Sequence, residues 1–449
     1  MTILCISLFY FRKYAPTIII DRQHRGGNTV KKVIGWSLFL YVGFAFFIYW
    51  YLFGWNHEII PDMYKGTSAD PQTFMNAKEL TLSQNYSQVK NLLFFLATPL
   101  EWLILLFVLV LGVSKRFEKW SKDTTKVRVL QIAIYLFYLS LLTTALSLPM
   151  QWIGHKVSID YGISTQTTPS WIKDHVIDFW VNYVIMLLIV SVLLWLIRKF
   201  PKRWWLAGWA LSVPFTIFLT FVQPVLIDPL YHDFSTLKNK ELETKILALA
   251  DQADIPAEHV YEVNMSKKTN ALNAYVTGIG RNTRIVMWDT TLQQLKDKEI
   301  LFIMAHEIGH YVMKHIYWGV ASYIVLTFVG MYLISRIINM CLRKWGDTLQ
   351  ISKLACFSII PLFFLISSIL SFAVSPASNY VSRIEERAAD QYALNMTKDG
   401  KSGVKTFQYL SKTSLSQVNP PALVKFFLYT HPPIFERIHT FEEYEKQQK

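Results

Sequence analysis

Cysteine is nearly absent from this chain: Cys5, Cys341 and Cys356 are the only three in 449 residues. An odd and scattered set supplies neither a disulfide framework nor a thiolate metal site. Acidic side chains are also scarce, 32 against 45 lysines and arginines, for a formal charge of +13. A charge of that size could serve nucleic acid, but no base-reading motif accompanies it. The basic residues instead fall in short segments between apolar runs, which argues for membrane orientation and against a nucleic-acid partner. Internal repeats and low-complexity tracts are missing as well.

What the chain has in abundance is apolar surface. Apolar residues make up 52%, aromatics 15%, and the mean hydropathy is +0.26. A lipid-spanning helix needs about 20 consecutive apolar residues. Seven runs qualify: Val33–Phe53, Leu92–Val113, Val129–Met150, Phe179–Ile197, Trp204–Ile227, Tyr317–Ile334 and Leu354–Val374. The apolar start "MTILCISLFY" is too short to span and lacks a small-residue cleavage site, so it reads as an interfacial or re-entrant piece rather than a signal peptide. Trp204, Trp205 and Trp318 stand at span ends, where amphipathic rings belong at headgroup level. Glu101 lies inside the second span, a position that calls for a cavity or a partner.

Two segments break the membrane pattern. In 228–315, "KELETKILALA" places Leu242, Ile246 and Leu249 at helical spacing, while "HVYEV" and "TRIVMW" read as short strands. The region 380–449 is polar and helical in pattern. The expectation is a mainly α, polytopic membrane protein of about seven transmembrane helices carrying a small α+β metalloprotease domain. Its N-terminal membrane domain would occupy 1–227 with about five spans. The metallopeptidase domain would occupy 228–449 and contain two further spans, at about 317–334 and 354–374.

"MAHEIGHYVMKH", 304–315, carries the chemistry. Residues four apart on a helix project about 40° apart, so His306 and His310 can reach one ion, with Glu307 on the flank beside a water. Two imidazoles bind zinc and the carboxylate takes the proton of the bound water. His315, nine residues beyond His306, would face the opposite side of a continuing helix. No glutamate occurs between Tyr311 and Ile384. The next acidic cluster is "SRIEERAAD", where Glu386 and Asp390 share a face. Glu386 is therefore expected as the third ligand and Asp390 as the group orienting a histidine ring. Glu385, about 100° away, is expected to pair with a basic neighbour.

The pattern "HEIGH", two spans, then "SRIEERAAD", resembles the type I CAAX prenyl endopeptidase family of integral-membrane zinc proteases. "NAYVTG" at Asn273–Gly278 and "HPPIFER" at His431–Arg437 resemble two further family motifs. The resemblance implies one Zn2+ per chain and a barrel of helices around a water-filled chamber. It also implies that Asn273, Ala274 and Tyr275 lie on a strand edge that holds an extended polypeptide substrate. His431 would donate to the oxyanion and Arg437 would pair with Asp390. Glu307 would be the general base. The substrate would be a CAAX-type prenylated protein or another membrane-associated one. The chain reads as a bacterial member, resident in the cell membrane; a eukaryotic one would sit in a membrane of endoplasmic-reticulum type.

Sidedness stays open at this level. All four basic clusters fall on one side of a seven-span chain, which puts the zinc motifs on the extracytoplasmic face, whereas the resemblance implies a cytosolic site in eukaryotic members. Rival readings are a quality-control protease without prenyl specificity, and a transporter or scaffold with a structural zinc. A structural site would carry four protein ligands and no base. An intramembrane protease would need an acidic residue within the next hairpin, where only Asp347 is present, outside the spans.

Overall fold

The chain is described by a computed structural model at residues 22–55, 59–278 and 283–448, with backbone alone at 22–27 and 221–226. The apolar N-terminal stretch lies outside these residues. The helical framework comprises α1 (Arg22–Tyr49), α2 (Ala77–Val110), α3 (Val113–Thr124), α4 (Arg128–Asp160), α5 (Thr168–Lys199) and α6 (Trp204–Leu226). After a mixed segment come α8 (Asp297–Val312), α9 (His315–Trp345), α10 (Ile360–Thr397), α11 (Gly400–Thr413), α12 (Ala422–Leu428) and α13 (Ile434–Gln447).

Among the described residues, six helical segments are long and apolar enough to cross a membrane. The fifth expected run forms α6, a helix of 23 residues. The helices overrun the bilayer. At 1.5 Å per residue, the 34 residues of α2 reach about 51 Å against roughly 30 Å of hydrocarbon. Local signals start them: Asn76 accepts the Glu79 N–H at 2.9 Å while Glu79 accepts the Asn76 N–H at 2.8 Å, a reciprocal cap. Gly112, at φ 68°, makes the left-handed turn from α2 into the amphipathic α3.

The seventh apolar run, from Ile360 onward, and the "SRIEERAAD" cluster lie on one continuous 38-residue helix, α10. It begins at the basic end of the bundle and delivers Glu386 some 26 residues, or about 39 Å, away. The basic end is assembled by contact. The Lys122 ammonium and the Arg128 guanidinium both lie over the Phe357 ring, at 5.5 and 5.3 Å. Trp204 belongs to this core and is 1% exposed, not at an interface as its place at a span end suggests. The reason is tertiary: its ring packs beside Phe363 of α10, which buries more of it than a headgroup layer would. Trp318 remains exposed near the start of α9.

A four-stranded sheet, β1 (Phe234–Thr236), β2 (Val260–Val263), β3 (Ala274–Thr277) and β4 (Arg284–Trp288), occupies the other end of the bundle in the order β1-β2-β4-β3. β2 and β4 are parallel, and the outer pairs are antiparallel. Helix α7 (Lys240–Gln252) covers it with Leu242 and Ile246, in one core with Ile300 and Met304 of α8. β3 is left at an edge.

Candidate metal centre

Helix α8 carries the His-Glu-x-x-His pattern. Its first turn holds Asp297 and Glu299, the charge that favours a helix N-terminus. Close approach to α10 depends on the residue inside the motif. A Cβ on Gly309 would meet the Tyr392 side chain at 3.1 Å. Ala305 on α8, with Ala389 and Ala393 on α10, is fully buried. These small residues bring the two helices close enough for one glutamate to reach two histidines.

The donor atoms converge. His306 Nε2 and His310 Nε2 lie 3.1 Å apart, and each is 3.3 Å from an oxygen of Glu386. One ligand atom from each of the three fits within 4.8 Å of the others. A tetrahedral ion with bonds of about 2.0–2.1 Å has donor-to-donor edges of roughly 3.3–3.4 Å, so this triangle fits a single metal ion. The electrostatics agree. Burial alone would depress His306, but Asp390 and Glu386 outweigh it and push the ring up to about 9. The surroundings demand a positive charge on that nitrogen, which a metal can supply in place of a proton. Glu386 Oε2 is buried with no hydrogen-bond partner among the described residues, a further mark of a ligand atom.

A supporting layer surrounds the triangle. Asp390 Oδ1 sits 3.0 Å from His306 Nδ1. Arg437 on α13 donates to both Asp390 oxygens, from Nε at 2.8 Å and from Nη2 at 2.5 Å. Its guanidinium stacks 4.0 Å over the Phe407 ring. His431 Nε2 stands 3.3 Å from Glu386 Oε1. Its Nδ1 is 2.8 Å from the Thr430 hydroxyl. When that hydroxyl donates, the proton resides on Nε2, facing the centre.

Two expectations fail here for local reasons. His315 does not face away: its Nδ1 is 2.8 Å from His310 Nδ1. Helix α8 ends at Val312, and Lys314 turns left-handed at φ 59° to start α9, so the angular count from His306 does not carry through. His315 thereby contacts the His310 ring as Asp390 contacts that of His306. Only the Lys314 backbone decides this, and no residue type there announces it. Glu385 forms no ion pair among the described residues. Its basic neighbours are engaged elsewhere, Arg387 with Glu436 at 2.9 Å and Arg383 with the Tyr429 carbonyl at 2.6 Å.

The centre opens into a cavity of about 990 Å³ whose lining includes Asn273, Ala274, Glu307, His431, Lys90 and Glu101. Glu307 has no hydrogen-bond partner among the described residues, and burial holds its carboxyl above the usual range. Asn273 anchors the start of β3, accepting from Trp288 N at 3.1 Å and donating its own N–H to Thr291 Oγ1 at 2.9 Å. Ala274 N donates to the Asn273 side chain at 2.9 Å. Tyr275 pairs with Val286 in the strand but is not part of the cavity lining. The sheet edge and the helix motif thus share one chamber enclosed partly by membrane helices.

Fold and site together define a membrane-embedded metalloendopeptidase. Residues 236–445 match peptidase family M48, and residues 56–233 match the CAAX prenyl protease N-terminal region with five membrane helices. The chain belongs to this family, the type I CAAX prenyl endopeptidases, as a multi-pass integral membrane protein. It is 53% identical to the uncharacterized metalloprotease YhfN of Bacillus subtilis, over 93% of this chain and 98% of that one. It is 29% identical to a CAAX prenyl protease 1 homolog of Arabidopsis thaliana, over 64% and 67% of the two chains. With CAAX prenyl protease 1 of Saccharomyces cerevisiae the figure is 27%, over 72% and 74%. The crystal structure of S. mikatae Ste24p shares the fold, with a TM-score of 0.76 at 24% identity, covering 95% of this chain and 100% of that one.

Proposed function

We propose that the chain is a zinc-dependent endopeptidase acting on membrane-associated polypeptides, CAAX-type prenylated proteins among them. The observation that carries this reading is the convergence of His306, His310 and Glu386 beside Glu307, which has no hydrogen-bond partner among the described residues, with His306 and Glu307 lining the chamber that the edge of β3 enters. Zinc held by the three ligands would supply a Lewis acid for the scissile carbonyl and a water acidic enough to attack near neutral pH.

The remaining work falls to the chain's own side chains. Asn273 and Ala274 present the edge of β3 to an extended substrate, which would add as a further strand. Glu307 accepts the proton of the attacking water and passes it to the leaving amine. Its raised affinity for a proton, a consequence of burial, suits both halves of that transfer. His431 donates from Nε2 to the oxyanion of the tetrahedral intermediate. Asp390 and His315 orient the two ligand rings, and Arg437 fixes Asp390. In this reading 1–227 is the N-terminal membrane domain, and 228–449 is the metallopeptidase domain, whose own two spans include α10, a part of the chamber wall.

The test is Glu307→Gln in detergent-purified protein. Zinc content should remain one per chain while turnover falls by roughly two to four orders of magnitude. Retained turnover would remove Glu307 from the mechanism. A matched pair of peptides, with and without a prenylated cysteine in a CAAX terminus, then separates the two substrate readings. Cleavage of the prenylated peptide alone selects CAAX processing, and equal cleavage selects general turnover of membrane proteins.

A further inference from the structure

The short helix α12 ends just before His431, and the helix that supplies the third metal ligand holds that end. A helix leaves the carbonyls of its last four residues without partners of its own; in α12 these begin at Lys425. Two of them, and the carbonyl just beyond, are met from α10. Asn379 Nδ2 donates to the Phe426 carbonyl at 3.4 Å. Arg383 Nη1 donates to the Lys425 carbonyl at 3.3 Å and to the Tyr429 carbonyl at 2.6 Å. Both side chains are buried. Residues 379, 383, 386 and 390 lie within about 60° of one another around α10. The face that brings Glu386 to the two histidines and Asp390 to His306 therefore also grips the chain two residues before His431.

His431 needs such support. Its side chain is 57% exposed, so its own packing does little to fix the ring. The strap that carries it, Tyr429 to Pro432, lines the chamber. On the exit side the strap is stiff. Pro432 and Pro433 are buried, and each fixes its own φ and confines the residue before it to extended backbone. Helix α13 follows at once, tied to α10 by Arg437 on Asp390. On the entry side the Tyr429 carbonyl is the point of attachment, and only Thr430 separates it from His431. Both ends of the strap thus refer back to α10. So does the ring, whose Nε2 lies 3.3 Å from Glu386 Oε1.

We infer that Arg383 is a positioning residue for the oxyanion donor: through the Tyr429 carbonyl it sets where His431 stands relative to the metal centre. This rests on the role given to His431 in the proteolytic reading and extends it to a side chain outside the chamber lining. An oxyanion donor works only when it is held about 2.7–3.1 Å from the place where negative charge develops. A displacement of about 1 Å caused by a change away from the chemistry can cost up to roughly a hundredfold in rate. Arg383 suits the task because one planar guanidinium reaches two carbonyls on either side of the end of α12, which fixes the direction of the chain as well as its place.

The test is a double-mutant cycle in zinc-loaded full-length protein in detergent, with kcat and KM measured on whichever of the two CAAX peptides the wild type cleaves. His431→Ala alone should lower kcat by about a hundredfold or more. Arg383→Ala alone should lower kcat by roughly 10–100-fold, with KM and zinc content near those of the wild type. In the His431→Ala background the same Arg383 change should cost less than about twofold, because the ring it positions is gone. Arg383→Lys, which keeps a donor and the charge, carries the same cycle if the alanine variant does not fold; its smaller loss should also disappear in that background. An equal loss in both backgrounds would make Arg383 a structural cap and overturn the inference, as would an undiminished kcat in Arg383→Ala. If cleavage depends on Glu307 but not on His431, proteolysis stands, and the oxyanion role and the inference fall together. If the wild type cleaves neither peptide nor β-casein, the proteolytic reading falls and takes the inference with it.

Discussion

The two ends of the helical bundle each bury a carboxylate between helices, and they treat it oppositely. At the basic end, Glu118 of α3 is 6% exposed and all its acceptors are used. One oxygen takes both the N–H of Ser358, at 2.9 Å, and the Ser358 hydroxyl, and the other takes the Lys122 ammonium at 2.5 Å. Nearby, the Tyr135 and Ser114 hydroxyls satisfy each other at 2.6 Å. At the metal end, Glu386 keeps a buried oxygen without a hydrogen bond among the described residues, and burial holds the Glu307 carboxyl above the usual range. A fully satisfied buried network fixes a fold, whereas one left incomplete beside a cavity waits for a ligand.

If that contrast is right, perturbing the metal end should cost activity and perturbing the basic end should cost stability. Removing the metal with a chelator, or its third ligand with Glu386→Ala, has the largest expected effect. Peptidase activity should vanish and return with added zinc only in the wild type, as followed by metal content and turnover together. Next comes Asp390→Asn, which weakens the hold on the His306 ring and leaves Arg437 without its full charge partner. Metal affinity should fall by about 10–100-fold, read by competition with a chromogenic chelator. His315→Ala removes one contact to the His310 ring and should lower affinity toward the bottom of that range. An unchanged affinity would strip His315 of its positioning role. The smallest effect on turnover belongs to Glu118→Ala. It leaves the Ser358 donors unsatisfied and should lower stability by about 1–3 kcal/mol, seen as an earlier thermal midpoint in detergent. The turnover of folded protein should not change.

Particular residues show how far the sequence reached. His306, Glu307 and His310 were legible because they belong to one helix, whose periodicity is set by backbone geometry and needs no neighbours. Glu386 was legible by elimination, the only acidic cluster after a glutamate-free stretch, and Asp390 by its helical spacing from it. The same arithmetic failed for His315, where a left-handed residue at 314 ended the helix on which the count depended. It failed for Glu385, whose basic neighbours Arg383 and Arg387 had been claimed by α12 and its C-terminal end and by α13. It failed for Trp204 as well, because position at a span end says nothing about which helix packs there.

By itself, then, the sequence determined what is periodic and local: the apolar runs that lipid requires, the strands, and the metal motif on one face of α8. The tertiary structure decided what depends on separate elements meeting: Gly309 against Tyr392, β3 at the sheet edge, Asn273 and Lys90 on one chamber. Periodicity is a property of a short stretch of backbone, whereas convergence depends on how helices of about 50 Å are set against one another. Single side chains such as Gly309 and Ala389 set that packing, and its result is visible only in three dimensions.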